Sequence, residues 1–154
     1  TSDTVTNTFT YGNINIALAE TTGTSYKIIP GKDIPKDPKV TVKAGSEACW
    51  LFVKVEESGT FVADKVTYAI ADGWELVEGQ TNVYCRKVAA VTADTSFEVI
   101  KNNKITVSET LTKDDIKDIT AVNPTLKITA YAVQQENIAD AATAWSKIPQ
   151  PTNP

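Results

Sequence analysis

The stretch that most constrains the fold is Ala48 to Glu56 (ACWLFVKVE), the most hydrophobic in the chain. At a two-residue period, Cys49, Leu51, Val53 and Val55 share one face. Trp50 and Phe52 share the other, followed there by Lys54 and Glu56. A strand that is apolar on both faces at one end needs cover from two sides, so this is the expected central strand of a sheet. Two covers suit Trp50 and Phe52: a helix or loop of the same subunit, or another chain that meets them as a subunit-contact surface.

The opening stretch, Thr1 to Leu18 (TSDTVTNTFTYGNINIAL), alternates just as strictly. Val5, Asn7, Phe9 and Tyr11 face one way, and Thr4, Thr6, Thr8 and Thr10 face the other. That is a strand pattern in strand-forming residues. Gly12-Asn13 interrupts it, and Ile14, Ile16 and Leu18 begin a second run. A terminal strand set off by a Gly-Asn joint can pair with its own sheet or with a neighbour's.

Further along, Tyr26 to Ile29 is a short apolar run, and Pro30 to Pro38 is a loop whose three prolines exclude a central strand. Lys39 to Lys43 alternates, with Val40 and Val42 on one face. Strand signals return at Val66 to Ala71, Trp74 to Val77, Val83 to Ala90 and Thr125 to Val133. Phe97 to Lys101 and Lys104 to Val107 flank Asn102-Asn103, a predicted two-residue hairpin turn because Asn tolerates positive φ. Thr110 to Ile119 predicts a helix capped at Thr112, with Asp114 and Asp115 in its first turn. Ile138 to Ile148 predicts a short helix with Ile138, Ala142 and Trp145 on one face.

Roughly ten short strands, two short helices and turn signals about every ten residues predict an all-β antiparallel sandwich, jelly-roll or immunoglobulin-like. The expected organisation is an N-terminal strand over 1–12, a sandwich over 13–148 and a Pro-rich tail over 149–154. A chain of 154 residues can bury roughly 70% of its unfolded surface, enough for one core.

Composition excludes more than it identifies. A net charge of −4 lacks the basic face that phosphate binding needs, so nucleic acid is not an expected partner. No apolar run approaches the roughly 20 residues of a membrane span. A chain opening at Thr1 is expected to be a processed, secreted one whose signal peptide has been removed. The absence of histidine removes Ser/His, Cys/His and zinc–His arrangements together. Asp114-Asp115 is better explained as favourable charge at a helix N-terminus than as an acid/base pair. No catalytic residue, metal site or cofactor is therefore expected. Loop carboxylates such as Asp33, Asp37, Asp64 and Asp72 are the available Ca²⁺ ligands, and nothing specific directs them to one.

Cys49 and Cys85 are compatible with one disulfide or with two buried, unpaired thiols. A bridge would close a loop of about 37 residues and contribute on the order of 4 kcal/mol before strain. Its spacing is nothing like CxxC, so its role would be structural.

The residues from Asp3 to Ile16 (DTVTNTFTYGNINI) resemble the start of mature proteins in the TasA/camelysin family of secreted biofilm-matrix fibre proteins. Ile29-Pro30-Gly31, Val40 to Lys43, Gly45 to Val55 and Tyr131 to Gln134 resemble the same group, especially its shorter members from anaerobic Gram-positive bacteria. The likeness covers most of the chain, and the opening motif is its more specific part.

The resemblance implies a jelly-roll-like sandwich whose N-terminal strand can leave its own subunit and complete the sheet of the next. It implies a structural role in an extracellular fibre at the cell surface or in a matrix, with copies of the chain and other matrix proteins as partners. Val5, Asn7, Phe9 and Tyr11 would form the polymerisation strand, and Gly12 and Asn13 its hinge. Extended, residues 1–11 span about 36 Å, enough to cross a sandwich. A donated strand satisfies an open sheet edge, and such a head-to-tail contact propagates instead of closing. Some camelysin-type relatives are described as metalloproteases, but this chain has no histidine for that chemistry. The competing reading is a monomeric extracellular binding or adhesion module that uses Trp50, Trp74 or Trp145.

Overall fold

A computed structural model describes residues 8–21, 28–58, 65–122 and 125–149. Its strands are β1 (Thr8–Tyr11), β2 (Ile16–Ala19), β3 (Ile34–Pro35), β4 (Lys39–Val42), β5 (Cys49–Ser58) and β6 (Val66–Thr67). They continue with β7 (Glu75–Leu76), β8 (Val83–Val88), β9 (Thr95–Glu98), β10 (Lys104–Val107) and β11 (Thr125–Gln134). The helices are α1 (Lys113–Val122) and α2 (Ala141–Ser146). The protein is all-β, with several sheets and two short helices.

The expected central strand is β5. It lies third in the order β1-β11-β5-β8-β7 and pairs antiparallel with β11 over ten residues, from Thr125↔Ser58 to Gln134↔Cys49. On one face, Cys49, Leu51, Val53 and Val55 join Leu126, Ile128, Ala130 and Ala132 of β11. They pack against Ile16, Leu18, Val40 and Val42 of a second sheet, ordered β2-β4-β9. Burying each such aliphatic side chain contributes about 1.5–3 kcal/mol, so this shared layer is the main stabilising core.

The other face is covered by the chain's own C-terminal helix. Trp145 of α2 sits with its ring centroid 5.3 Å from Phe52 and 4.9 Å from Tyr131, the latter pair edge-to-face. Six residues are too few for an autonomous helix, and α2 is held by its cap and its packing. The Asp140 carboxylate accepts from the Thr143 backbone N–H at 2.8 Å, while Ala144, Trp145 and Ile148 are buried. Phe52 is consequently 0% exposed and is not a subunit-contact surface. Trp50 is half-buried and is also held internally, its indole N–H donating to the Ile138 carbonyl at 3.2 Å.

A third sheet, β3-β10-β6, packs Ile34, Val66, Ile105 and Val107 against Leu111 and Ile119 beside α1. The helix starts where the sequence places its cap. Thr112 Oγ1 accepts from the Asp115 N–H at 3.1 Å, and Asp115 Oδ2 accepts from the Thr112 N–H at 3.0 Å. The predicted Asn102-Asn103 hairpin does not form. Both residues have positive φ, 59° and 54°, but their short 3₁₀ turn carries the chain from β9 in one sheet to β10 in another. Val99 and Ile100 are fully buried at this crossing and Ile100 bridges to Ile70, which draws the chain between sheets instead of back on itself.

The disulfide does not form either, and register is the reason. Phe52 pairs with Cys85 and Cys49 with Val88, so the two cysteines point to opposite faces of one sheet. Cys49 lies in the core between sheets and Cys85 in the Phe52–Trp145 cluster, both as free, buried thiols. Burial pushes the Cys49 thiol from 9.0 up to about 11. An unfolded thiol ionises from pH 9 upward while the native one keeps its proton to about 11. Stability from this group is therefore intact below pH 9 and falls as pH rises through 11, by up to roughly 3 kcal/mol. Urea melts at increasing pH, taken as the difference between wild type and Cys49→Ala, should show this decline. Reducing agent should leave the melting temperature unchanged.

Candidate functional site

The candidate site grows from the edge where the chain's first described strand meets β11. The pairing is parallel, with Thr8↔Ala130, Phe9↔Tyr131, Thr10↔Ala132 and Tyr11↔Val133. The alternation expected from the sequence is kept: Phe9 and Tyr11 lie on the α2 side, Thr8 and Thr10 on the other. Val5 and Asn7, the remaining candidates on this strand, lie outside the described residues.

The two partners at this edge differ in how well they are held. Ala130, Ala132 and Val133 of β11 are fully buried. On β1, Phe9 is half-buried against the Tyr131–Trp145 cluster, Thr8 and Thr10 are exposed, and Tyr11 is 50% exposed. The described part of β1 is thus held by backbone hydrogen bonds and one aromatic ring. Nothing in its side-chain packing resists release strongly.

The joint that follows it is sharply defined. Gly12 has φ +108°, and a Cβ at that position would lie 2.7 Å from Gln134 Oε1 and 2.8 Å from Gln134 Cβ. Only glycine satisfies both the backbone angle and the close approach. Immediately after it the chain is pinned. The Asn13 carbonyl accepts from the Glu47 N–H at 3.1 Å, and the Asn15 carbonyl accepts from the Lys43 N–H at 2.8 Å. The buried hydroxyl of Ser46 accepts from the Asn15 N–H at 3.0 Å and donates to the Asn15 carbonyl at 3.2 Å. Of the two expected hinge residues, Gly12 is the position whose backbone requires glycine, and the Asn13 carbonyl is hydrogen-bonded to the Glu47 N–H.

The other sequence candidates do not converge. Trp74 and Trp145 are buried and Trp50 is half-buried, so these three rings form no exposed platform. Asp33 pairs with Lys104 at 3.0 Å and Asp72 with Lys101 at 3.5 Å, whereas Asp37 accepts from the Thr21 N–H and hydroxyl. Asp64 lies outside the described residues. Among the described residues there is no group of three or more Cys, Asp or Glu side chains arranged to hold a metal ion. Asp115 serves the α1 cap, its carboxyl held below its ordinary value by the Thr112 N–H and the Lys65 ammonium at 2.9 Å.

Sequence reasoning missed Gln134 and Gln135. Gln134 sets the clearance at Gly12. The Gln135 amide donates to the carbonyls of Cys49 at 2.9 Å and Val88 at 3.1 Å, tying β11, β5 and β8 together at one end. A polar pair closing an apolar strand was the available signal. Comparison with protein-family models, with curated proteins and with solved structures finds no match.

Replacing Gly12 by Ala should unseat β1 by roughly 1–3 kcal/mol, through backbone strain and collision with Gln134. Hydrogen exchange should then speed up at Thr8 to Tyr11 and at Ala130 to Val133, while the amides pairing β5 with β8 stay protected.

Proposed function

We propose that this chain is a structural subunit of an extracellular protein fibre, similar in kind to the TasA/camelysin proteins. In this reading the body is a jelly-roll-like sandwich, and β1 of one copy adds to β11 of the next. The observation that carries it is the thin seating of β1: an edge strand near the start of the sequence, packed against the core among the described residues through Phe9 and followed by a position that requires glycine. The opening-sequence resemblance supports the same role.

In the isolated subunit β1 occupies its own sheet edge, so polymerisation is an exchange. Releasing β1 breaks the four-residue ladder and the Phe9 contact, and docking on a neighbour remakes the same contacts in trans. The two states differ mainly in chain entropy and strain at the joint, so subunit concentration sets the balance. Because donor and acceptor are different surfaces, the contact is heterologous and extends into a line. Phe9 fills the groove beside Tyr131 and Trp145, and Tyr11 lies over Val133. Val5 and Asn7 would extend the same strand.

The seating of β1 on its own subunit also suits the second reading, a monomeric binding or adhesion module. Against that reading, Trp74 and Trp145 are committed to packing.

Electron microscopy of the purified chain beside a version lacking residues 1–11 tests the proposal. Fibres from the intact chain and folded monomers from the truncated one are expected. Fibres from both would move the joint elsewhere, and monomers from both would favour the binding module. Phe9→Asp should reduce assembly at least tenfold while the subunit stays folded, because it sets a charge against an apolar groove.

A further inference from the structure

Arg86 is the single arginine in a chain with 15 basic residues. It lies on β8, on the side of the central sheet away from β1. Its register opposite Leu51 turns the side chain toward the space between the sheets. There the guanidinium carbon sits 4.1 Å from the Phe97 ring centre and 5.1 Å from that of Trp74. The two rings are 6.4 Å apart and inclined at 75°, forming a cleft around the cation.

The seat is rigid. The Trp74 indole N–H donates to the Glu98 carbonyl at 2.9 Å, which fixes that ring. Gly73, at φ +96°, gives the guanidinium its room: a Cβ there would lie 2.5 Å from Nη2.

A group so carefully positioned nevertheless makes no hydrogen bond and no ion pair among the described residues, where every ion pair uses a lysine. Asn103 Oδ1 is the one buried side-chain polar atom among them without a partner, so the Arg86 donors are open to water. Burial lowers the pKa of Arg86, in keeping with a charge partly withdrawn from water against the two rings.

A guanidinium presents its N–H groups as a planar fork that matches a carboxylate in two parallel hydrogen bonds. Stacking has already restricted the side chain, so little rotamer entropy remains to be lost on binding. The chain carries 19 acidic residues against its 15 basic ones. Exposed Glu47, Glu78, Glu136 and Asp118 form no ion pair among the described residues. A second copy therefore offers carboxylates to a receptor to which the described residues of its own subunit supply none.

We propose that Arg86, seated between Trp74 and Phe97, binds a carboxylate of a second copy of this chain. The contact lies across the sheet from β1 and does not rest on strand donation. It is a lateral or axial contact between subunits in its own right.

Sedimentation velocity of the 154-residue Phe9→Asp chain, with and without Arg86→Lys, tests this with strand donation held aside. Runs in sodium acetate and in sodium chloride at equal ionic strength supply a free carboxylate as competitor. Lysine keeps the charge and much of the stem but loses the fork, so the fold should survive, as checked by an unchanged thermal melt. Concentration-dependent association is expected with Arg86, weakened several-fold by acetate over chloride. Arg86→Lys should weaken it at least tenfold and abolish the acetate effect. Equal association with and without Arg86→Lys, equal effects of the two salts, or no association with Arg86 present would each overturn the proposal. Fibres persisting with Phe9→Asp would count against strand donation and leave the Arg86 comparison intact.

Discussion

The ten-residue antiparallel ladder between β5 and β11 is the interaction on which the rest of the structure depends. It sets two long strands side by side with apolar residues on both faces, so neither face can be left to water. One face recruits the β2-β4-β9 sheet and creates the main core. The other recruits Trp145 and with it α2, a helix too short to persist without that packing. The strand pair thus dictates the layers on both sides.

The same ladder leaves an edge to be managed. β8 covers the outer side of β5 over six residues, and β7 adds a two-residue strip beyond it. On the outer side of β11, the described part of β1 covers four of ten residues. An open strand edge is in general a hazard in a monomer and a joint in a polymer. Among the described residues, the anchoring changes across Gly12. Residues from Asn13 onward are tied to the Lys43–Glu47 turn through backbone groups and the buried Ser46 hydroxyl, whereas β1 is tied through its ladder and Phe9. On the proposed reading, the step in anchoring at Gly12 is where Thr8 to Tyr11 would separate from the body.

Local patterns proved legible where the physics is local. The two faces of Ala48 to Glu56 followed from periodicity alone, and the structure buries both. The α1 cap at Thr112 was readable because its partner, Asp115, is three residues away. The positive φ at Asn102 and Asn103 was readable too, but the destination of the next strand was not. Nothing near that turn reveals that β10 pairs with β3 and β6, whose positions depend on the burial of Val99 and Ile100. The choice between a bridge and two buried thiols stayed open in the sequence for a related reason. Each reads as buried, but whether they share a face depends on the β5–β8 register, a fact about pairing that spacing does not contain. For the candidate site, the alternation of Phe9 and Tyr11 and the glycine joint were visible in sequence. The parallel partner more than 100 residues away, and the Gln134 side chain that makes glycine obligatory, required three dimensions.

The central claim is that β1 of one copy takes the place of β1 on another copy's β11. Thr10 and Ala132 are neighbours in that pairing, so one chain carrying Thr10→Cys and a second carrying Ala132→Cys report on it directly. The two chains are mixed, allowed to assemble and then oxidised, and the products are separated without reductant. The account predicts disulfide-linked pairs joining residue 10 of one chain to residue 132 of the other. Assembled fibres that yield no such pair, with β1 still seated on its own subunit, would contradict it.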